Sequence, residues 1–243
     1  MITLTNIWKR FGEKQVHKGV DLEVRDNETL VILGRSGGGK SVLLKMIIGL
    51  IKPDSGSIVV DGKEIGSLKY KQLQKLRFKF GFLFQGAALF DSMTVGENIE
   101  LALRRHSEYK DADITERVKY ALELVKLSNV SHLMPSNISG GMKKRVGLAR
   151  AIALTPKYML YDEPTTGLDV ETADGINLLI NELKKTLGVT SIVVTHDIHS
   201  AWVVGDRFAI FENGQFIMTG TKEDIRNSPN PEVRKYIESD IAT

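Results

Sequence analysis

An α/β fold around a parallel sheet is predicted by three observations: short apolar strands alternate with helical periods in the last third, a glycine-rich loop joins a strand to a helix near residue 34, and the middle third is mostly helical. Strands are expected at 2–8, 16–24, 29–33 and 57–60, the last closed by Asp61-Gly62. One helix interrupts them. It opens at Gly39-Lys40-Ser41 and carries Val42, Leu43, Met46, Ile47 and Leu50 at helical spacing until Pro53 forbids continuation. From 67 to 80, Lys69, Lys71, Lys75, Arg77 and Lys79 surround Leu73, Leu76 and Phe80, which reads as a helix with one buried stripe and a solvated basic face. A buried strand at 82–84 precedes helices at 95–103, 114–127 and 141–154. Strands return at 158–161, 191–195, 207–212 and 215–219, with a helix at 171–187 between the first two. The tail holds a helix at 221–227, a break at Ser228-Pro229-Asn230-Pro231, and a short docking helix with Val233, Tyr236 and Ile237 on one face.

Composition narrows the function classes. The chain has 243 residues, 42% hydrophobic and 26% charged, enough for one or two compact domains without covalent staples. It contains no cysteine, so disulfide frameworks, thiolate metal sites and cysteine nucleophiles are excluded. With 33 basic against 30 acidic residues the net charge of +3 is too small to argue for a nucleic-acid partner, and none is expected. Apolar runs such as 46–51 and 192–194 fall far short of the roughly 18 residues that span a bilayer. The opening Met1-Ile2-Thr3-Leu4-Thr5 alternates like a strand and lacks the features of an export signal, which is the expectation for a cytosolic protein.

Gly34-Arg35-Ser36-Gly37-Gly38-Gly39-Lys40-Ser41 fits the phosphate-loop pattern G-x-x-x-x-G-K-[ST], in the strand–loop–helix setting that pattern needs. Glycines let backbone N–H groups approach a β-phosphate, and the positive end of the helix adds to that attraction. Lys40 is expected to neutralise the β- and γ-phosphates of ATP, and Ser41 to give its hydroxyl to Mg²⁺. Further on, the apolar run 157–161 ends in Asp162-Glu163, two carboxylates expected at the carboxyl edge of the sheet. Asp162 suits a Mg²⁺ contact through water and Glu163 suits polarising the attacking water. Without a phosphate loop the same pair, followed by Pro164, reads equally as a helix start.

The phosphate loop is followed in order by Gln85 in Phe84-Gln85-Gly86, Ile138-Ser139-Gly140-Gly141-Met142, Asp162-Glu163, Thr166-Gly167-Leu168-Asp169 and Thr195-His196-Asp197. This constellation resembles the nucleotide-binding subunit of an ATP-binding cassette (ABC) transporter across essentially the whole chain. The resemblance implies a P-loop NTPase with a RecA-like core and an antiparallel β part (1–86 and 156–220), an inserted α-helical subdomain (87–155) and a C-terminal helical tail (221–243). It implies ATP hydrolysis with Mg²⁺, in which Glu163 is the base, His196 touches the γ-phosphate and Gln85 senses the metal and the attacking water. Ser139, Gly140 and Gly141 would face the γ-phosphate bound by a second copy, and Asp169 would link the two copies. Phe11 sits where the family stacks an aromatic on adenine, the alternative being a core aromatic at a strand end. Taken alone, Ser139-Gly140-Gly141 reads as an ordinary helix cap.

Met142 stands where the family's signature commonly has glutamine, and Ile138 where it has leucine. Met142 followed by Lys143-Lys144-Arg145, together with the stretches 82–95 and 230–236, resembles the MlaF-like ATPases of bacterial lipid-asymmetry systems. That resemblance implies a homodimer on the cytoplasmic side of the inner membrane. Its implied partners are an MlaE-type permease and an MCE-domain lipid carrier, while the presence of a STAS-domain protein is left open by the sequence. The rival expectations are an importer ATPase for a different cargo and a soluble ABC ATPase.

Overall fold

The computed structural model describes residues 1–105 and 110–241. Positions 106–109, within the expected helical subdomain, and 242–243, at the end of the expected tail, lie outside the described residues. In chain order, β1 (Ile2–Phe11), β2 (Lys14–Val24) and β3 (Thr29–Leu33) lead to α1 (Lys40–Ile47), and β4 (Ser55–Val60) and β5 (Lys63–Glu64) precede α2 (Tyr70–Arg77). Then come β6 (Phe80–Leu83), α3 (Val95–Arg104), α4 (Asp111–Leu124), α5 (Gly140–Ile152), β7 (Tyr158–Asp162) and α6 (Val170–Leu187). The remainder is β8 (Thr190–Thr195), α7 (Ile198–Val204), β9 (Arg207–Glu212), β10 (Gln215–Gly220), α8 (Lys222–Arg226) and α9 (Pro231–Ile241).

Two compact units result, one from 1–77 with 190–243 and the other from 78–189. In the first unit β1 lies between β2 and β4 in an antiparallel sheet whose buried Ile2, Leu4 and Ile7 form its inner face. A second sheet places β3 between β8 and β9, parallel to both, with β10 added antiparallel at β9. Every residue of β3 and β8 is buried, which is why their centres, Leu30–Leu33 and Ile192–Val194, read as continuous apolar runs rather than alternating ones. Polar groups pin the strand starts. The Thr29 amide donates to Asp206 Oδ2 at 2.6 Å, and Arg207 grips Glu28 through Nε at 3.0 Å and a second nitrogen at 2.6 Å.

In the second unit β6 and β7 pair in parallel, with Phe80 opposite Tyr158 and Leu83 opposite Tyr161. Helix α5 lies close against β6: a Cβ on Gly81 would sit 2.5 Å from the Ala151 carbonyl oxygen, and one on Gly147 would sit 2.9 Å from Leu83 Cδ1. Helix α3 begins with a capping box in which Thr94 and Glu97 satisfy each other's backbone N–H groups. Gly188, left-handed at φ 64°, ends α6.

Several expectations need correction. Phe80 belongs to β6 and not to the preceding helix, because α2 stops at Arg77. Arg77 is not on a solvated face: its guanidinium donates to the carbonyls of Ile48 and Gly49 at 3.0 and 2.8 Å. Helix α1 ends at Ile47, ahead of Gly49 at φ 66°, and leaves Leu50 52% exposed outside the apolar stripe. The sheet is not parallel throughout, since β10 joins it antiparallel to β9.

The Glu28–Arg207 pair is largely buried, with side-chain exposures of 11% and 14%. Arg207→Leu is expected to lower unfolding stability by about 3 kcal/mol, because a buried carboxylate loses its cation. Urea denaturation of the two proteins measures the difference.

Candidate functional site

The phosphate loop leaves β3 at Gly34, where any Cβ would collide with the Phe211 carbonyl oxygen of β9. Gly37 and Gly39 adopt φ of +72° and +111°, values that L side chains rarely reach. A Cβ at Gly39 would also strike the Val16 side chain and lie 3.4 Å from the His17 ring. Lys40, only 4% exposed, curls back over the loop and donates from Nζ to the Gly34 and Arg35 carbonyls at 2.6 and 2.9 Å. Gly39, the residue at the start of α1, has no side chain with which to cap it. A glycine cradle, an arched ammonium and an uncapped helix start fit an anion such as the phosphates of ATP, and Ser41 follows directly with a hydroxyl suited to Mg²⁺.

His17 lies fully buried beneath this loop, against the Phe211 ring at 5.4 Å between centroids. Burial pushes its pKa down to about 4, with a backbone hydrogen bond at Gly39 opposing the shift. On the open side, Gly34, Arg35 and Ser36 share a cavity of about 320 Å³ with His196, Glu212, Glu232, Lys235 and Tyr236. The Tyr236 hydroxyl donates to Glu212 Oε2, and Arg35 Nε stands 4.0 Å from Glu212 Oε1. Burial, then the Glu212 hydrogen bond, push the Tyr236 phenol up. Phe11 ends β1, is 47% exposed and has the Lys9 ammonium 5.3 Å above its ring, so it is a surface aromatic and not part of the core.

In the second unit Asp162 closes β7 and Glu163 follows at φ 51°, an uncommon left-handed position for a side-chain-bearing residue. Both are buried, at 5% and 6% exposure. Thr166 Oγ1 donates to Glu163 Oε2 at 3.0 Å. From α5, the buried Lys144 ammonium donates to the Glu163 carbonyl at 3.2 Å and to the Gln85 carbonyl, so Gln85 and Glu163 share one donor. Burial lowers the Lys144 pKa, and the carboxylates of Asp162 and Glu163 oppose that shift.

Ser139 caps α5, its Oγ accepting from the Met142 amide at 3.2 Å while its O–H stays able to donate. Asp169 caps α6 by accepting from the Thr172 amide at 2.9 Å and hydroxyl at 2.8 Å, and those bonds hold its carboxyl below the usual range. The two helix starts meet, since a Cβ on Gly141 would lie 2.5 Å from Thr172 Cγ2. Thus the structure groups Gly34–Ser36 with His196, Gln85 with Glu163, and Gly141 with the turn at Asp169. His17, Lys144, Thr166 and Tyr236 were not singled out as site residues from sequence. Thr166 and Lys144 stood there only inside quoted motifs and Tyr236 only on the docking face of the tail, while His17 carried no signal.

Residues 17–166 match the family described as ABC transporter. The chain belongs to the ABC transporter family. It is 38% identical over 236 residues to the probable ribonucleotide transport ATP-binding protein mkl of Mycobacterium leprae, covering 97% of this chain and 68% of that protein. It is 40% identical over 237 residues to the methionine import ATP-binding protein MetN of Clostridioides difficile, covering 98% and 74%. The chain thus spans about two thirds to three quarters of the length of these relatives. Among solved structures, the dimeric post-hydrolysis state of the ATP-binding cassette MJ0796 bound to ADP and Pi superposes with a TM-score of 0.83 at 33% identity, covering 91% of this chain and 98% of that one. CbiO1 of Clostridium perfringens gives 0.83 at 30% identity and covers 98% of both. This ABC cassette is an ATPase that uses ATP with Mg²⁺. Cassettes of its family pair and work with a transmembrane permease, and no helix among the described residues is long and apolar enough to cross a membrane itself.

His17 makes stability depend on acid. Its folded pKa of about 4 lies below its ordinary value of 6.5, so between those pH values the unfolded chain binds the extra proton and stability falls as pH falls. The expected loss from this group between pH 7 and pH 5 is about 2 kcal/mol. His17→Leu should flatten that part of the pH dependence in urea denaturation.

Proposed function

We propose that this ABC cassette is the motor of a phospholipid transporter and that its site residues act as follows. The loop Gly34–Ser41 holds the phosphates, with Lys40 against the β- and γ-phosphates and Phe11 against adenine. Ser41, Asp162 and Gln85 would hold Mg²⁺, which when bound would supply positive charge beside the phosphates. Glu163 polarises the attacking water, and His196 orders it against the γ-phosphate. Ser139, Gly140 and Gly141 of a second copy complete each nucleotide site, Asp169 links the copies, and 87–155 forms the helical subdomain that carries this signature. The observation that carries the phosphate role is the Lys40 ammonium arched over a loop that only glycine can follow.

The lipid assignment is supported by the resemblance of 82–95, Ser139-Gly140-Gly141-Met142-Lys143-Lys144-Arg145 and 230–236 to MlaF-like ATPases. Under it, the chain sits on the cytoplasmic face of the inner membrane with an MlaE-type permease, an MCE-domain lipid carrier and a STAS-domain protein. A second reading, import of a small solute, is favoured by the relative named for methionine import. Copurification from detergent-solubilised membranes separates the two. An MlaE-type permease and an MCE-domain protein are expected, whereas a solute permease with its binding protein establishes the second reading.

Glu163→Gln should lower the hydrolysis rate by about 10² to 10⁴, the usual contribution of a positioned general base, while leaving Mg·ATP binding intact. A native rate in a complex carrying this variant shows that another group activates the water.

A further inference from the structure

Lys144 has no role in the reading above, yet it is the buried cation at the centre of the second unit. Its side chain is withdrawn from solvent, at 5% exposure, and its ammonium is shared between the carbonyls of Gln85 and Glu163. Those acceptors lie on the two loops that leave the paired strands β6 and β7 at the same end. Six residues further along α5, Arg150 donates to the carbonyls of Ala87 and Ala88, both at 2.7 Å. Ala87 and Ala88 have φ of 59° and 49°, so the loop after Gln85, like Glu163, follows a left-handed path that a side-chain-bearing residue holds only when its surroundings enforce it. The close approach of α5 at Gly147, which faces Leu83 and Ala87, leaves this loop little room to shift.

We propose that Lys144 is a positioning residue for ATP hydrolysis: it ties the Gln85 loop and the left-handed backbone of Glu163 to the helix that begins at Ser139, so that the three move as one body. An ammonium with three donors can hold two carbonyls at once, which an apolar side chain of equal length cannot. Displacement of Ser139 on engaging nucleotide would then carry Glu163 and Gln85 with it. This inference rests on the assignment of Glu163 as the base.

The test compares Lys144→Met, Lys144→Arg and Lys144→Gln in the full chain, in the complex purified from membranes. Met matches the length without donors, Arg keeps donors and charge, and Gln keeps an uncharged donor. For Lys144→Met, kcat is expected to fall at least tenfold, in the range that misplacing a reacting group by about 1 Å produces, with KM for Mg·ATP within about twofold of native. Lys144→Arg should recover part of that loss despite its larger volume. If Lys144→Met does not fold, Lys144→Leu, which also lacks donors, takes its place with the same expectation, while Lys144→Gln should keep part of the rate. A native kcat in the Met or Leu variant overturns the proposal, as does a parallel loss of kcat and nucleotide binding with Arg and Gln no better than Met, which marks a packing role. A cycle with Glu163→Gln separates the two claims. If Lys144 acts through Glu163, adding Lys144→Met to Glu163→Gln lowers the rate no further. A native rate in Glu163→Gln alone removes the base assignment, and a full additional loss in the double variant removes the positioning role.

Discussion

Backbone carbonyls folded away from water need donors, and in this cassette lysine and arginine side chains supply them where loops leave the regular elements. Lys40 serves Gly34 and Arg35, Lys144 serves Gln85 and Glu163, Arg150 serves Ala87 and Ala88, and Arg77 serves Ile48 and Gly49. Each cation binds two acceptors, so it constrains a stretch of loop and not a single atom. Hydrogen bonds from charged donors are roughly twice as strong as neutral ones, which suits loops that lack a ladder of their own.

The same constraint explains where the unusual backbone lies. Gly37 and Gly39 meet their left-handed angles without a Cβ, whereas Ala87, Ala88 and Glu163 hold similar angles at a cost of about 1 kcal/mol or more each. Their carbonyls are the ones gripped from α5. A carboxylate placed by a strained, cross-tied backbone has less freedom than one on an open loop, and that is the quality a base needs when it must orient a water.

Legibility followed the range of the interactions. Thr29–Leu33 and Arg207–Glu212 were legible because their interiors, Leu30–Leu33 and Phe208–Phe211, are buried and apolar, with polar residues confined to the strand ends. Helix α7 was not anticipated, since seven residues give too little period to distinguish from a loop. The hairpin of β9 and β10 turns at Asn213-Gly214, whose φ of 49° and 88° suits a tight turn. Phe80 was placed in a helix because its spacing from Leu73 and Leu76 fits a helical face as well as a strand start.

The sequence by itself determined the phosphate loop, the order of the motifs and the α/β class, because glycines that allow left-handed turns, a lysine beside them and apolar periodicity act between near neighbours. The tertiary structure alone decided what Lys144, His17 and Tyr236 do. Lys144 meets Gln85 across 59 residues and Tyr236 meets Glu212 across 24, while the His17 pKa is pushed down by burial between the phosphate loop and Phe211. A side chain's type states which bonds it can make, and only the packed chain states which acceptors, and how little water, it will find.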